Sequence, residues 1–99
     1  MAERRFITLR LTSDEAAALA RFRKGSKKRG KMVTTQKILV LVSFLRVGDR
    51  ATVEAVRKSA SAKIPNIGYS TVLRALSLFV ELGLARRTGR LPFLFSPRK

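Results

Sequence analysis

The side chains in this sequence that have chemistry to offer are almost all cations. Twenty-two Lys and Arg stand against six Asp and Glu, a formal net charge of +16 at pH 7 over 99 residues. Charge of that size repels itself in a compact fold unless a polyanion is bound. Nucleic acid is the first counter-surface to consider, and an anionic membrane the second. The cations are bunched. Six of them fall between Arg23 and Lys31 in "RKGSKKRGK", with two glycines and no apolar side chain. Three more, Arg86, Arg87 and Arg90, surround Gly89. Guanidinium and ammonium groups in such runs suit contact with phosphate oxygens.

Other chemistries lack their residues. The sequence contains neither His nor Cys, which removes disulfides, thiolate reactions and the side chains most used for zinc, iron or copper. It also removes the usual general base at neutral pH. The one adjacent carboxylate pair, Asp14-Glu15, is accounted for by a capping box running from Thr12 to Glu15. The sequence has no glycine-rich phosphate loop and no nucleophile beside a base. Its longest apolar run, "ILVLVSFL", falls short of the ~20 residues needed to span a bilayer. The expectation is a soluble, cytoplasmic, nucleoid-associated protein (or one of the host cytoplasm if viral) that is not an enzyme. It should need no cofactor or metal, and no membrane or small-molecule ligand is evident.

The elements that must position the cations follow from periodicity. "RRFITLRL" alternates, with Ile7, Leu9 and Leu11 on one face, and predicts a short strand from Phe6 to Leu11. The capped stretch "TSDEAAALARFRK" predicts a helix. Residues 25–32, including Lys27, Lys28, Arg29 and Lys31, then read as a flexible basic linker that touches phosphates. Thr34 or Thr35 caps a second helix, "QKILVLVSFLRV", which Gly48 ends. It is apolar on two sides, with Ile38, Leu41, Val42 and Leu45 on one and Val40, Phe44 and Val47 on the other. Thr52 caps a third, alanine-rich helix, and "IPNIG" breaks the chain. A fourth helix runs from about Tyr69 to Leu82 with Gly83 as its stop. It turns Val72, Ala75, Leu76 and Phe79 inward and Ser70, Arg74, Ser77 and Glu81 outward. "ARRT-GR-LPFLF" predicts two short strands, with Phe93 and Phe95 as core or interface residues.

Helix, helix, turn, helix and ribbon is the layout of a winged helix-turn-helix: mainly α with a small antiparallel β wing, here with an N-terminal strand–helix extension. The helix after the turn is sized for the major groove of B-DNA, and a basic ribbon suits the backbone or minor groove. On that layout the candidate DNA-binding residues are Tyr69, Ser70, Thr71, Leu73, Arg74 and Ser77 on the helix and Arg86, Arg87 and Arg90 on the wing. Lys27, Lys28, Arg29 and Lys31 join them from the linker.

From Val33 to Phe95 the sequence also resembles the DNA-binding domain of the ferric uptake regulator family. The resemblance rests on the Thr-x-x-Gln/Arg-type helix start, on Thr71-Val72-Leu73-Arg74-Ala75-Leu76, and on the exit Glu81-Leu82-Gly83-Leu84-Ala85-Arg86-Arg87. It implies a transcriptional regulator of prokaryotic or viral origin. Members of that family sense metal through His, Cys and acidic ligands and dimerise through a C-terminal domain. This sequence has neither His nor Cys and stops after the wing, so metal sensing is not carried over. Leu73 stands where the family usually has tyrosine; it suits a thymine methyl but cannot hydrogen-bond.

The first half, "RRFITLRLTSDEAAALARFRK", also resembles the strand and first helix of ribbon-helix-helix repressors. The division expected is therefore a strand–helix extension over 1–24, a basic linker over 25–32 and a winged-helix domain over 33–99. The extension and the second apolar helix face are the candidate homodimer interface. Two alternatives use the same charge: a structural RNA-binding protein of ribosomal type, and an architectural or plasmid-maintenance DNA-binding protein.

Overall fold

Threonine hydroxyls start three of the four helices among the described residues. The computed structural model describes residues 10–89 and 93–98. In α1 (Ser13–Lys28) the Thr12 hydroxyl accepts the Glu15 N–H at 3.1 Å, and Glu15 Oε1 accepts the Thr12 N–H at 3.0 Å. This is the predicted capping box. Thr34 accepts the Lys37 N–H to open α2 (Thr35–Val47), and Thr52 accepts the Ala55 N–H to open α3 (Val53–Ala60). Each such cap contributes about 1 kcal/mol by satisfying an otherwise orphaned donor. The fourth helix, α4 (Tyr69–Glu81), follows Gly68 and has no side-chain cap. Asn66, at φ 64°, takes the left-handed turn that leads into it,.

Two strands follow α4 among the described residues. Strands β1 (Ala85–Thr88) and β2 (Leu94–Pro97) pair antiparallel with Ala85 opposite Pro97 and Arg87 opposite Phe95. Of the pattern "LPFLF", Leu91 and Pro92 lie outside the described residues, Phe93 is not strand, and β2 begins at Leu94. On its other edge Ala51 exchanges two backbone hydrogen bonds of 2.8 Å with Phe95, which ties the turn before α3 to the ribbon.

The core gathers around Phe79. The Phe22 ring of α1 meets it edge-on at 5.6 Å, and the Phe44 ring of α2 stacks on it at 6.3 Å. All three are fully buried, as are Val40, Leu41, Val56, Val72, Leu76 and Phe95. Aromatic pairs of this kind add about 0.5–1.5 kcal/mol each beyond their area. The inward residues expected of α4, Val72, Ala75, Leu76 and Phe79, are all buried.

Three expectations are corrected here. The basic stretch from Gly25 to Lys28 is the last turn of α1 rather than a linker, and only Gly30 to Val33 lie between the α1 cap and the α2 cap. Glycine and serine are weak helix formers, but tertiary burial overrides propensity. Ser26 is fully buried, and a Cβ on Gly25 would sit 3.3 Å from Leu82 Cδ2. Arg21 also pins α1 to the far end of the chain, donating to the Gly83 and Arg98 carbonyls at 3.1 Å each.

The second apolar face of α2 is not spare either. Val40 and Phe44 are fully buried within the single chain, and of that trio only Val47, at 37%, is exposed. The covers are α1 and α4, through Phe22 and Phe79. Of the predicted N-terminal strand, Phe6 to Leu9 lie outside the described residues. Arg10 and Leu11 are not strand and run straight into the Thr12 cap.

Candidate nucleic-acid interface

Helix α4 keeps a polar face because its apolar residues recur at helical spacing on the opposite side. Ser70, Arg74, Ser77 and Glu81 are all exposed. Tyr69, in the first turn, is 53% exposed. Beside this face lies a groove of about 480 Å³ between α4 and the start of α2. Thr71, Arg74, Ser77 and Glu81 line it from α4, Lys31 from the connection, and Gln36 and Lys37 from α2. Its floor is apolar, made by Val40, Ala75 and Leu78.

The groove is cationic. The ion pairs among the described residues are Arg29–Glu81, Arg46–Glu15 and Arg57–Glu54, and none engages Lys31, Lys37 or Arg74. Lys37 is oriented by its Nζ, which donates to the Met32 carbonyl at 2.9 Å. That leaves two ammonium protons of Lys37 for a ligand. Gln36 and Lys37 were not among the residues singled out from the sequence. They belong to the "TTQK" helix start, whose local pattern marks a cap and not a contact surface; only the tertiary arrangement sets these two side chains opposite Arg74.

The other predicted contacts divide. Leu73 is half-buried, with part of its side chain packed against the core. Lys27 and Lys28 are exposed in the last turn of α1, where cations are favoured by the helix dipole,. Lys28 and Arg29 line a second hollow with Arg21, Lys24, Gly25 and Leu82. Arg29 is engaged: its Nη1 donates to Glu81 Oε2 at 2.9 Å.

On the wing, alternate residues of a strand project to opposite faces. Arg87 shares a face with buried Ala85, and its guanidinium lies 4.6 Å from the centroid of the Phe93 ring. Arg86 projects from the other face. The two arginines therefore do not act as one block. Arg90 lies outside the described residues.

No protein-family model matches the chain, and neither does any curated protein. Solved structures do share its fold. The ferric uptake regulator of Helicobacter pylori, described as having three functional metal-binding sites, superposes with a TM-score of 0.75 at 22% identity, covering 91% of this chain and 61% of its own. The peroxide-sensing gene regulator PerR from Streptococcus pyogenes gives 0.69 at 11% identity, covering 81% of this chain and 56% of its own. A manganese uptake regulator gives 0.65 at 20% identity, covering 78% and 58%. The fold is thus the winged helix that these neighbours share, and the 91% coverage takes the likeness beyond the stretch from Val33 to Phe95. The chain spans 56–61% of the length of these neighbours. A metal site of the kind one neighbour carries does not fit this donor set. The sequence offers no His or Cys, and no three acidic groups among the described residues come together,.

Proposed function

We infer that the protein is a sequence-specific double-stranded DNA-binding protein, a transcriptional regulator in which α4 enters the major groove and the wing follows the backbone. The observation that carries this is the cationic groove beside the polar face of α4. It sets Arg74 within the same concave surface as Lys31 and Lys37, on a chain of net charge +16. Arg74 is placed to read a base edge, since arginine donates bidentately to guanine O6 and N7. Lys31 and Lys37 then hold flanking phosphates, and Tyr69, Ser70, Thr71 and Ser77 complete the contact surface. Arg86 meets the backbone from the wing. The residues supply binding and no reaction, so the protein acts as a regulator and not as an enzyme, in the cytoplasm where DNA is reached.

One winged helix covers a short half-site. The protein accordingly acts as a homodimer. With Val40 and Phe44 buried inside each subunit, the segment before Arg10 is left as the contact. Apolar Ile7 and Leu9, alternating with Thr8, are the supporting feature.

Selection of bound fragments from random duplex DNA at near-physiological salt, with structured RNA as competitor, tests the reading. A short enriched motif, with two halves in opposite orientation, is the expected result. Capture of duplexes without sequence preference makes the protein architectural, and preferential capture of the RNA makes it a structural RNA binder.

A further inference from the structure

Glu81 is out of character with its surroundings. It ends α4 on the same helical row as Ser70, Arg74 and Ser77, and at 1.5 Å per residue it stands about 10 Å along the axis from Arg74. In the groove it faces Lys31, Lys37 and Arg74. Asp14, Glu15 and Glu54 occupy the first turns of their helices, where the helix dipole favours an anion. Glu81 sits at the opposite end, where a carboxylate is disfavoured.

Stability does not account for it. Its bond to Arg29 is half exposed on both sides, at 47% and 50%, and exposed pairs contribute about 0–1 kcal/mol. Arg29 itself caps the C-terminus of α1 and would be well placed there without a partner,. A carboxylate and a phosphodiester, however, offer a guanidinium the same thing: anionic oxygens that its planar fork of N–H donors can engage.

Building on the DNA-binding reading above, we propose that Glu81 is an internal competitor for phosphate. In the free protein its carboxylate occupies Arg29. On a duplex it repels phosphates from the C-terminal end of the α4 face, so that the helix is admitted N-terminal half first. Non-specific binding, which depends on phosphate contacts alone, is restrained most. Binding at the preferred site, held by Arg74 further along the helix, is restrained less. Glu81 is therefore a specificity-determining residue that makes no favourable contact with the DNA.

The test compares wild type, Glu81→Gln and the double variant Glu81→Gln/Arg29→Ala, with Glu81→Ala as a second neutral replacement. Labelled random duplex and the selected site are titrated over a range of salt concentrations, and helical circular dichroism establishes that each variant is folded. Glu81→Gln should bind random duplex several-fold tighter, with a log–log salt slope steeper by about 0.9, one added phosphate contact. Its preference for the selected site should fall. Adding Arg29→Ala should return the slope to the wild-type value. If both neutral variants keep the wild-type slope and preference, the proposal is wrong while the DNA-binding reading stands. If wild type binds no duplex, the reading beneath it fails as well.

Discussion

Arg46 grips Glu15 with two hydrogen bonds, Nε to Oε2 at 3.0 Å and Nη2 to Oε1 at 3.2 Å, while Glu15 also closes the capping box of α1. The same guanidinium donates from Nη2 to the Arg10 carbonyl at 2.8 Å. One side chain from the last turn of α2 thus holds the start of α1 and the residue that leads into it. The carboxylate is buried, and the Arg46 hydrogen bond, with help from the Thr12 N–H, holds its pKa below the ordinary 4.5 against the effect of burial.

That shift sets an acid limit on the fold. Folded Glu15 binds a proton less readily than unfolded Glu15, so its contribution to stability is fully present above the unfolded value near 4.5. It is lost as pH falls from there through the lower folded value. Thermal melts between neutral and acid pH should show the melting temperature falling in that window. Glu15→Gln should melt lower at neutral pH and show a shallower acid dependence. Parallel curves for the two proteins would mean that the pair does not control the acid limit.

Gly25 tests the length of α1. Because residues 25–28 are helical, Gly25→Ala gains roughly 0.5–1 kcal/mol of helix propensity,. The added Cβ meets the flexible tip of Leu82 at 3.3 Å, which can yield by a few tenths of an ångström. A rise of a few degrees in melting temperature is expected, whereas Gly25→Leu should lower it by forcing α1 off Leu82. Indifference to both substitutions would return this stretch to a flexible loop.

The legible parts of this fold were those fixed by local chemistry. Thr12, Thr34 and Thr52 announce their helices because a hydroxyl before an amphipathic run has a specific donor to satisfy. The α4 pattern separates Val72, Ala75, Leu76 and Phe79 from Ser70, Arg74, Ser77 and Glu81 because only one side of that helix is covered. What escaped depended on contacts distant in sequence. Gly25 and Ser26 look like linker residues until Leu82 and the core bury them. Phe44 looks unpartnered until Phe79 stacks on it, and Lys37 looks ordinary until α4 sets Arg74 across the groove. Leu73, taken from its motif position to face outward, is drawn half inward by packing that the motif does not encode.

Arg74 and the lysines across the groove should separate in binding experiments. Arg74→Ala should cost about 1–3 kcal/mol on the selected site and much less on random duplex. Lys31→Ala and Lys37→Ala should weaken both duplexes alike and reduce the salt slope by about one each. Replacing Lys27 and Lys28 should act in the same uniform way. An equal loss on both duplexes for Arg74→Ala would reassign it as a phosphate clamp.

The last prediction concerns where subunit and assembly divide. Phe22 is fully buried against Phe79, so α1 belongs to the subunit core. Phe22→Ala should cost about 3–5 kcal/mol, much of the roughly 5–15 kcal/mol that holds a domain together. Deleting residues 1–24 would remove Phe22 and unfold the chain, and so could say nothing about assembly. A chain beginning at Arg10 retains Thr12, Glu15 and Phe22 and should keep its helical circular dichroism and most of its thermal stability. Light scattering should then find the full chain dimeric and the shortened one monomeric. The shortened chain should still bind a half-site, while losing the gain that a two-half site gives the dimer. A full chain that scatters as a monomer, or a shortened chain that remains a dimer, removes the first nine residues as the contact.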